Sequence, residues 1–145
     1  MTGMKSMTIA LTSILLTLGA CVTTRNSLST SAERLEENAD TLARTVHEES
    51  SDGRVVGGYA HDSRILADDA HVFRRASEER DTTNTDLKLA FERLSRSYHV
   101  VRDEVDRSDN PAVHEDLRPV TEAYLDIERD MGGASFSSRS DTLIR

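Results

Sequence analysis

Apolar residues recur at alternating steps of three and four positions along most of the chain, in four separate segments. Steps of this kind keep apolar side chains on one narrow face of an α-helix, as in helical bundles. In the first segment this face consists of Leu28, Ala32, Leu35, Ala39, Leu42 and Val46. The pattern predicts a first helix that ends at the polar loop from Ser50 to Gly53.

Two more helices are predicted in the middle of the chain. The second runs from Val55 or Tyr59 to Glu79, and its core face consists of Tyr59, Ser63, Leu66, Ala70, Phe73 and Ser77. Residues 80–84 then break the pattern with side chains that cap helices. The core face of the third helix consists of Leu87, Ala90, Leu94, Tyr98, Val101 and Val105, and Phe91 widens it.

A fourth helix is predicted to begin at Pro111, because Asn110 suits the N-cap and proline suits the first helical position. Its apolar face consists of Val113, Leu117, Val120, Tyr124, Ile127 and Met131. Pro119 lies inside this segment and removes one backbone donor, so we expect a kink there or a short helix followed by a longer one. Gly132 and Gly133 are expected to end the helix.

The fold that these segments predict is all-α. Four helices of about 20 residues joined by short polar links place consecutive helices antiparallel. The expected architecture is therefore an up-down-up-down four-helix bundle. The alternative is a three-helix bundle with a loose first helix, since few residues separate that helix from Cys21.

The segment before the helices has a different character. One charged residue, Lys5, precedes an apolar run from Met7 to Ala20, and charged, amphipathic sequence begins abruptly at Arg25. The run spans about 14 residues, whereas a membrane-spanning helix needs roughly 20. It therefore fits the apolar part of an export signal better than a transmembrane helix or a buried core helix.

Leu18, Gly19, Ala20 and Cys21 close this run with an aliphatic residue, two small residues and the only cysteine. These four residues resemble the lipobox of bacterial lipoproteins. The resemblance implies that the Cys21 thiol receives a diacylglyceryl group and that a signal peptidase recognises Leu18 to Ala20 and cuts before Cys21. It also implies that an acyl chain such as palmitate caps the new N-terminus. Val22 stands where an aspartate would favour the inner membrane, which implies the outer membrane, facing the periplasm.

The lipobox divides the chain into four parts. A signal peptide occupies residues 1–20, a lipidated N-terminus with a short tether 21–27, the helical bundle 28–131, and a flexible tail 132–145. About 125 residues follow the cleavage site, which is enough for one domain. Other uses of the cysteine fit less well, because a disulfide needs a second cysteine and a catalytic thiol needs an electropositive, folded environment.

The charge of the chain excludes one class of partner. The formal net charge is −8, and it becomes −9 when Lys5 leaves with the signal peptide. Such a surface repels nucleic acids, and the chain has no basic stripe interleaved with aromatic residues. We therefore expect no nucleic-acid partner. The lipid anchor implies contact with a membrane, and the long charged helix faces favour a protein partner in the cell envelope.

The histidines are the main candidates for a metal site. His61, Arg64, Asp68, His71 and Arg75 form a row on the second helix, opposite its core face. A solvated face with ion pairs explains this row, and a surface metal site of His61, Asp68 and His71 is the alternative. We predict no metal ion, and no cofactor besides the covalent lipid.

The expected function is non-catalytic. The Gly-x-Ser-x-Gly, P-loop and Gly-x-Gly-x-x-Gly motifs are all absent, and no arrangement of nucleophile and base stands out. We expect a lipid-anchored bundle that binds another envelope component as an adaptor, a stabilising subunit or an inhibitory subunit. The alternative is a carrier of a small molecule or metal ion. It would use the His-bearing helix face or an interior cavity lined by Tyr59, Tyr98 and Tyr124, which otherwise pack the core.

Overall fold

The computed structural model describes residues 19–53 and 57–137 of the chain, with side chains for 26–53 and 58–132. These residues form four helices and no strand, namely α1 (Gly19–Ser51), α2 (Gly57–Glu78), α3 (Asn84–Val105) and α4 (Pro111–Ser137). The helices pack against each other around one core, so the predicted all-α four-helix bundle is confirmed. Among the described residues, no helix combines the length and the apolar character needed to span a membrane.

The predicted core faces are the buried faces of the helices. All six predicted positions of α1 are buried, and those from Ala32 to Val46 have no exposed surface. The predicted faces of α2, α3 and α4 are buried as well, except that Leu87 and Met131, each near one end of its helix, are only partly buried. The hydrophobic effect thus selects the same side of each helix that the three-and-four spacing marks.

Consecutive helices run antiparallel, and the four helices form a closed ring. Hydrogen bonds join Ser27 to Asp130 and Thr45 to Asp116, so residue numbers rise along α1 while they fall along α4. Contacts join α1 to α2, α2 to α3, α3 to α4, and α4 back to α1. The alternative of a three-helix bundle with a loose first helix is therefore wrong, because α1 packs against two neighbours.

The helix starts in the second half of the chain are capped as the sequence predicts. Thr83 is the N-cap of α3, where its hydroxyl accepts a hydrogen bond from the Asp86 backbone N–H at 3.2 Å and donates one to the Asp86 carboxylate at 2.7 Å. At the start of α4, the Asn110 side chain accepts from the Ala112 N–H at 3.0 Å, and Pro111 is the first helical residue. Each cap satisfies a backbone donor that has no partner inside the helix.

Two helices are longer than the hydrophobic pattern predicts. The α1 backbone is already helical at Gly19, ahead of the expected start at Leu28, because residues 21–27 contain neither proline nor glycine to break it. The C-terminal helix continues past Gly132 to Ser137, so the expected stop at the two glycines is wrong. A glycine ends a helix when it turns left-handed, and Gly53 is the one described glycine with a positive φ, at 72°.

Pro119 does not divide the last helix. Of the two outcomes expected there, the break into a short and a longer helix is wrong, since α4 is a single helix through this residue. The Pro119 carbonyl accepts a hydrogen bond from the Asn38 side-chain amide of α1 at 3.4 Å. Packing against α1 thus outweighs the local cost of a proline inside a helix.

Candidate functional site

The predicted histidine row lies on the surface of α2. Its five residues are all exposed, and the row faces away from the core as expected. The structure does not bring His61, Asp68 and His71 together as ligands: within the described part of the chain, no group of three or more His, Cys, Asp or Glu side chains could hold a metal ion. His71 instead pairs through Nδ1 with Glu36 at 2.7 Å.

Glu36 joins α1 to α2 through two cationic partners. Besides the contact with His71, its other carboxylate oxygen accepts from the Arg74 guanidinium, which also donates to Glu78 at 2.8 Å. Burial acts to raise the pKa of the Glu36 carboxyl, but the hydrogen bonds from His71 and Arg74 outweigh burial and hold this pKa below its ordinary value. The carboxylate therefore stays charged and fixes one helix against the other.

The tyrosines of α3 and α4 fill the interior where a cavity was the alternative. The Tyr98 and Tyr124 rings stack with centroids 4.0 Å apart at 14°, and the Phe91 ring is also stacked with Tyr124, at 6.0 Å. The Tyr98 hydroxyl donates to Thr121 at 3.1 Å, and the Tyr124 hydroxyl is hydrogen-bonded to Ser95 at 2.8 Å. These rings occupy the space between α3 and α4. Of the four pairs of adjacent helices, this pair has the fewest close approaches between backbones.

The buried serines are satisfied by their own helices. Ser63, Ser77 and Ser97 donate to backbone carbonyls three residues earlier, at 3.4, 2.7 and 3.0 Å. Their hydroxyls therefore do not point into an open space as ligands for a guest molecule. Together with the stacked tyrosines, they give a packed interior rather than a binding chamber.

A second polar cluster lies where α2 begins and α3 ends, beside Tyr59. One oxygen of the Glu104 carboxylate is buried and meets no hydrogen-bond donor among the described residues. Burial, then the facing carboxyl of Asp62, raises the pKa of Glu104 to about 7, and Arg107 opposes this rise. Burial also raises the pKa of the Tyr59 phenol, and the Ser108 hydroxyl partly offsets this rise. The sequence pattern did not single out Glu104, because α2 and α3 bring it to Asp62 only after folding.

The outer surface between α2 and α3 concentrates exposed apolar side chains. Among the described residues, four of the five exposed large hydrophobic side chains lie there, and the fifth is Leu125 on α4. We define the α2–α3 face by these four together with the charged side chains between them: Ile65, Val72, Leu89, Val100, Asp62, Asp69, Arg93 and Arg96. Part of this face is an open groove of about 300 Å³, and Ile65 and Val100 both line it.

A pattern in the sequence marks this face once the fold is known. Ile65 and Val72 are seven residues apart on α2, as Arg93 and Val100 are on α3. Each pair therefore lies on one side of its helix, next to the core face. The two rows are joined across the groove by Arg93, which donates to the buried Asp69 carboxylate at 3.0 Å. The face is thus apolar, with charges paired across its middle.

The opposite side of the ring, formed by α1 and α4, carries the acidic excess of the protein. Each of these helices has six acidic residues, against three arginines in α1 and two in α4, whereas α3 has four of each sign. We define the α1–α4 face by three exposed glutamates, Glu37 on α1 and Glu115 and Glu122 on α4. Arg34 bridges to Asp126 at 3.5 Å along the same seam.

The fold and these surfaces define a helical bundle with a packed interior, one apolar face and one acidic face on opposite sides. No family model matches the chain, and no curated protein or solved structure is significantly similar to it. Leu18 and the residues before it lie outside the described part of the chain, as does the side chain of Cys21. The expectations about the signal peptide and the lipid therefore remain predictions from the sequence.

Proposed function

We propose that this chain is a bacterial lipoprotein, cut after Ala20 and anchored by lipid on Cys21 to the outer membrane, facing the periplasm. The sequence from Leu18 to Cys21 supports the proposal, because it places the single cysteine at the end of an apolar run too short to span a membrane. Two or more acyl chains hold a protein stably on a bilayer, whereas one gives marginal binding.

We propose further that the anchored bundle binds another envelope protein without catalysing a reaction, as an adaptor, stabilising subunit or inhibitory subunit. The observation that carries this proposal is the acidic excess on α1 and α4, with Glu37 and Glu122 exposed on the α1–α4 face. A partner of complementary charge, such as a lysine- and arginine-rich segment, is steered to such a face.

The packing of the interior supports binding on the outside of the bundle over the carrier alternative. Stacked Tyr98 and Tyr124 occupy the place where the carrier alternative requires a ligand chamber, and both hydroxyls have protein partners. A bound guest would have to displace these rings and leave their hydroxyls without partners, which costs about 1–3 kcal/mol for each buried polar group.

The anchor is tested by labelling cells that produce the full chain with a fatty-acid analogue. Cys21→Ser is expected to abolish labelling and to leave the precursor uncleaved, since the acceptor sulfur is gone. Val22→Asp is the control, because it keeps the thiol and is expected to be labelled as strongly as the original chain. Labelling of the Cys21→Ser protein would contradict the assignment.

The partner is tested by crosslinking the full chain in intact cells and identifying the captured peptides by mass spectrometry. We expect reproducible capture of a basic segment of one envelope protein. The double variant Glu37→Lys, Glu122→Lys should reduce that capture at least tenfold, because like charges then face each other. Glu92→Lys makes one such charge reversal on α3, which has no acidic excess, and should leave capture unchanged. Equal capture by both variants, or no reproducible partner, would reject the proposed surface.

A further inference from the structure

The α2–α3 face is the one large apolar surface that the bundle leaves uncovered among its described residues. Val72, Leu89 and Val100 are each more than two-fifths exposed, although the next residue along the chain is buried in every case. Single exposed hydrophobic residues need no explanation, but several of them on one face mark an interaction surface. The charges on the same face indicate what covers it.

The two helices of this face carry opposite charges. Asp62 and Asp69 lie on α2, and Arg93 and Arg96 lie on α3. Because the helices are antiparallel, Ile65 and Val100 lie at the same height, and Asp69 lies near Arg93. Around the groove, the face is therefore acidic along α2, basic along α3, and apolar at intervals on both.

A surface with this division can complement itself in only one of two symmetric arrangements. If the two-fold axis is parallel to the helices, α2 of each copy faces α3 of the other, so Asp69 approaches Arg96 and Ile65 approaches Val100. If the axis is perpendicular to the helices, α2 faces α2 and α3 faces α3, which brings aspartates together and arginines together. Like charges placed opposite each other cost several kcal/mol in an interface, so the first arrangement is selected.

We propose that the α2–α3 face is the interface of a parallel homodimer, in which a second copy of the chain covers Ile65, Val72, Leu89 and Val100. The two bundles stand side by side and point the same way. In this dimer the Arg93–Asp69 pair of each copy joins the corresponding pair of the other, giving an alternating row of charges between two apolar patches.

The size of the face fits a modest, reversible dimer. Each of the two 22-residue helices is about 33 Å long at 1.5 Å per residue. Two helices packed side by side at ~10 Å present a face about 20 Å wide, or on the order of 600 Å² per copy. Stable specific interfaces bury about 800 Å² on each partner, so this contact lies at the low end of that class.

The dimer goes beyond the proposed function and is compatible with it. A parallel two-fold axis places the first residues of both α1 helices at the same end, so two copies can be anchored in one membrane. It also leaves both α1–α4 faces outside, because they lie opposite the interface in the ring of helices. Each dimer then offers two acidic faces to an envelope partner.

The dimer is tested with a photo-crosslinking amino acid at Val100 in the full chain, in cells that produce two differently tagged copies. Irradiation should give a product that carries both tags, with the crosslink reaching α2 of the other copy near Ile65. Leu125 is the matched control, since it is 46% exposed on α4 against 47% for Val100, and it should give no such product.

Every other outcome at Val100 overturns the proposal. Absence of the doubly tagged product shows that the chain does not self-associate through this face, and a link to the Leu89–Arg93 segment of the other copy shows the perpendicular arrangement. Capture of a different protein at Val100 assigns the face to that protein. None of these results affects the partner expected at the α1–α4 face, which is measured separately with Glu37→Lys, Glu122→Lys.

A variant with a reversed charge tests the same interface independently. Arg96→Glu places a carboxylate opposite Asp69 of the other copy and should reduce the doubly tagged product from the Val100 probe at least tenfold. Lys88→Glu makes the same change on the side of α3 away from α2 and should leave the product unchanged. Circular dichroism of both variants checks that the bundle is intact, and an equal product from both would reject the interface.

Discussion

Glu104 connects the stability of the bundle to pH at the scale of one residue. Its carboxyl has an ordinary pKa of 4.5, but burial and the facing Asp62 raise the pKa to about 7 in the folded protein. Between these two values the folded chain keeps a proton that the unfolded chain has released. The contribution of Glu104 to the free energy of unfolding is therefore fully present below pH 4.5 and is lost as the pH rises to about 7.

Replacing Glu104 by glutamine should flatten this dependence. Glu104→Gln keeps the shape of the side chain and removes the charge that burial disfavours, so the variant should be more stable than the original chain at pH 8 by about 1–2 kcal/mol. At pH 5 the difference should be small. Urea denaturation at both pH values measures it, with Glu115→Gln, an exposed glutamate on α4, as the control. An equal difference in stability between the variant and the original chain at both pH values would contradict the raised pKa.

At the same scale, the sequence predicts the burial of a side chain better than its partners. The three-and-four spacing places Tyr98 and Tyr124 on core faces, and both are buried. It does not predict that their rings stack, because stacking depends on how far apart α3 and α4 stand and how each is rotated. The spacing does not predict the two cationic partners of Glu36 either, since both belong to another helix.

At the scale of the elements, the starts of α3 and α4 are predictable and the outer ends of α1 and α4 are not. Caps at Thr83 and Asn110 involve residues within one turn, so the local sequence specifies them. The end of α4 depends on the backbone angle of Gly132, which the residue type leaves free. A glycine that follows the apolar face of a helix allows the helix to end there but does not require it to end.

Two glycines should respond in opposite directions to the same substitution. Gly132 is helical and exposed, and a Cβ added there meets no atom within 4 Å, so Gly132→Ala should stabilise the protein by up to about 1 kcal/mol. Gly53 has φ of 72°, which alanine adopts only with strain, so Gly53→Ala should destabilise it by about 1 kcal/mol.

Thermal and urea denaturation of both glycine variants measures these signs. The two substitutions add the same methyl group, so each serves as the control of the other for effects on the unfolded chain. Destabilisation by Gly132→Ala would mean that α4 ends before this residue, as the sequence pattern alone predicts.

At the scale of the whole molecule, the acidic residues of α1 and α4 repel each other across a seam that the core holds closed. Arg34 relieves part of this repulsion through Asp126, while Glu37 and Glu122 remain exposed. Added salt should stabilise the bundle by about 1 kcal/mol, because the Debye length falls from ~30 Å at 0.01 M to ~3 Å at 1 M. Denaturation of the dilute chain across this range measures the effect.

A neutralised variant shows whether this seam is the source of the salt effect. Glu37→Gln together with Glu122→Gln removes one charge from each helix, so its stability should respond less to salt than that of the original chain. Glu92→Gln removes a charge from α3 and should leave the response unchanged. A salt response that is equal in all three proteins would place the repulsion elsewhere.

The hydrogen bond of 2.9 Å between Ser27 and Asp130 has a consequence for the order of folding. Three of the four helix contacts join neighbours in sequence, and only the contact between α1 and α4 joins the two ends of the bundle. Helical hairpins close quickly because their loops are short, whereas the last contact waits for nearly the whole chain. During synthesis α1 therefore keeps its α4-facing side uncovered longest, and the ring closes only when the final helix arrives.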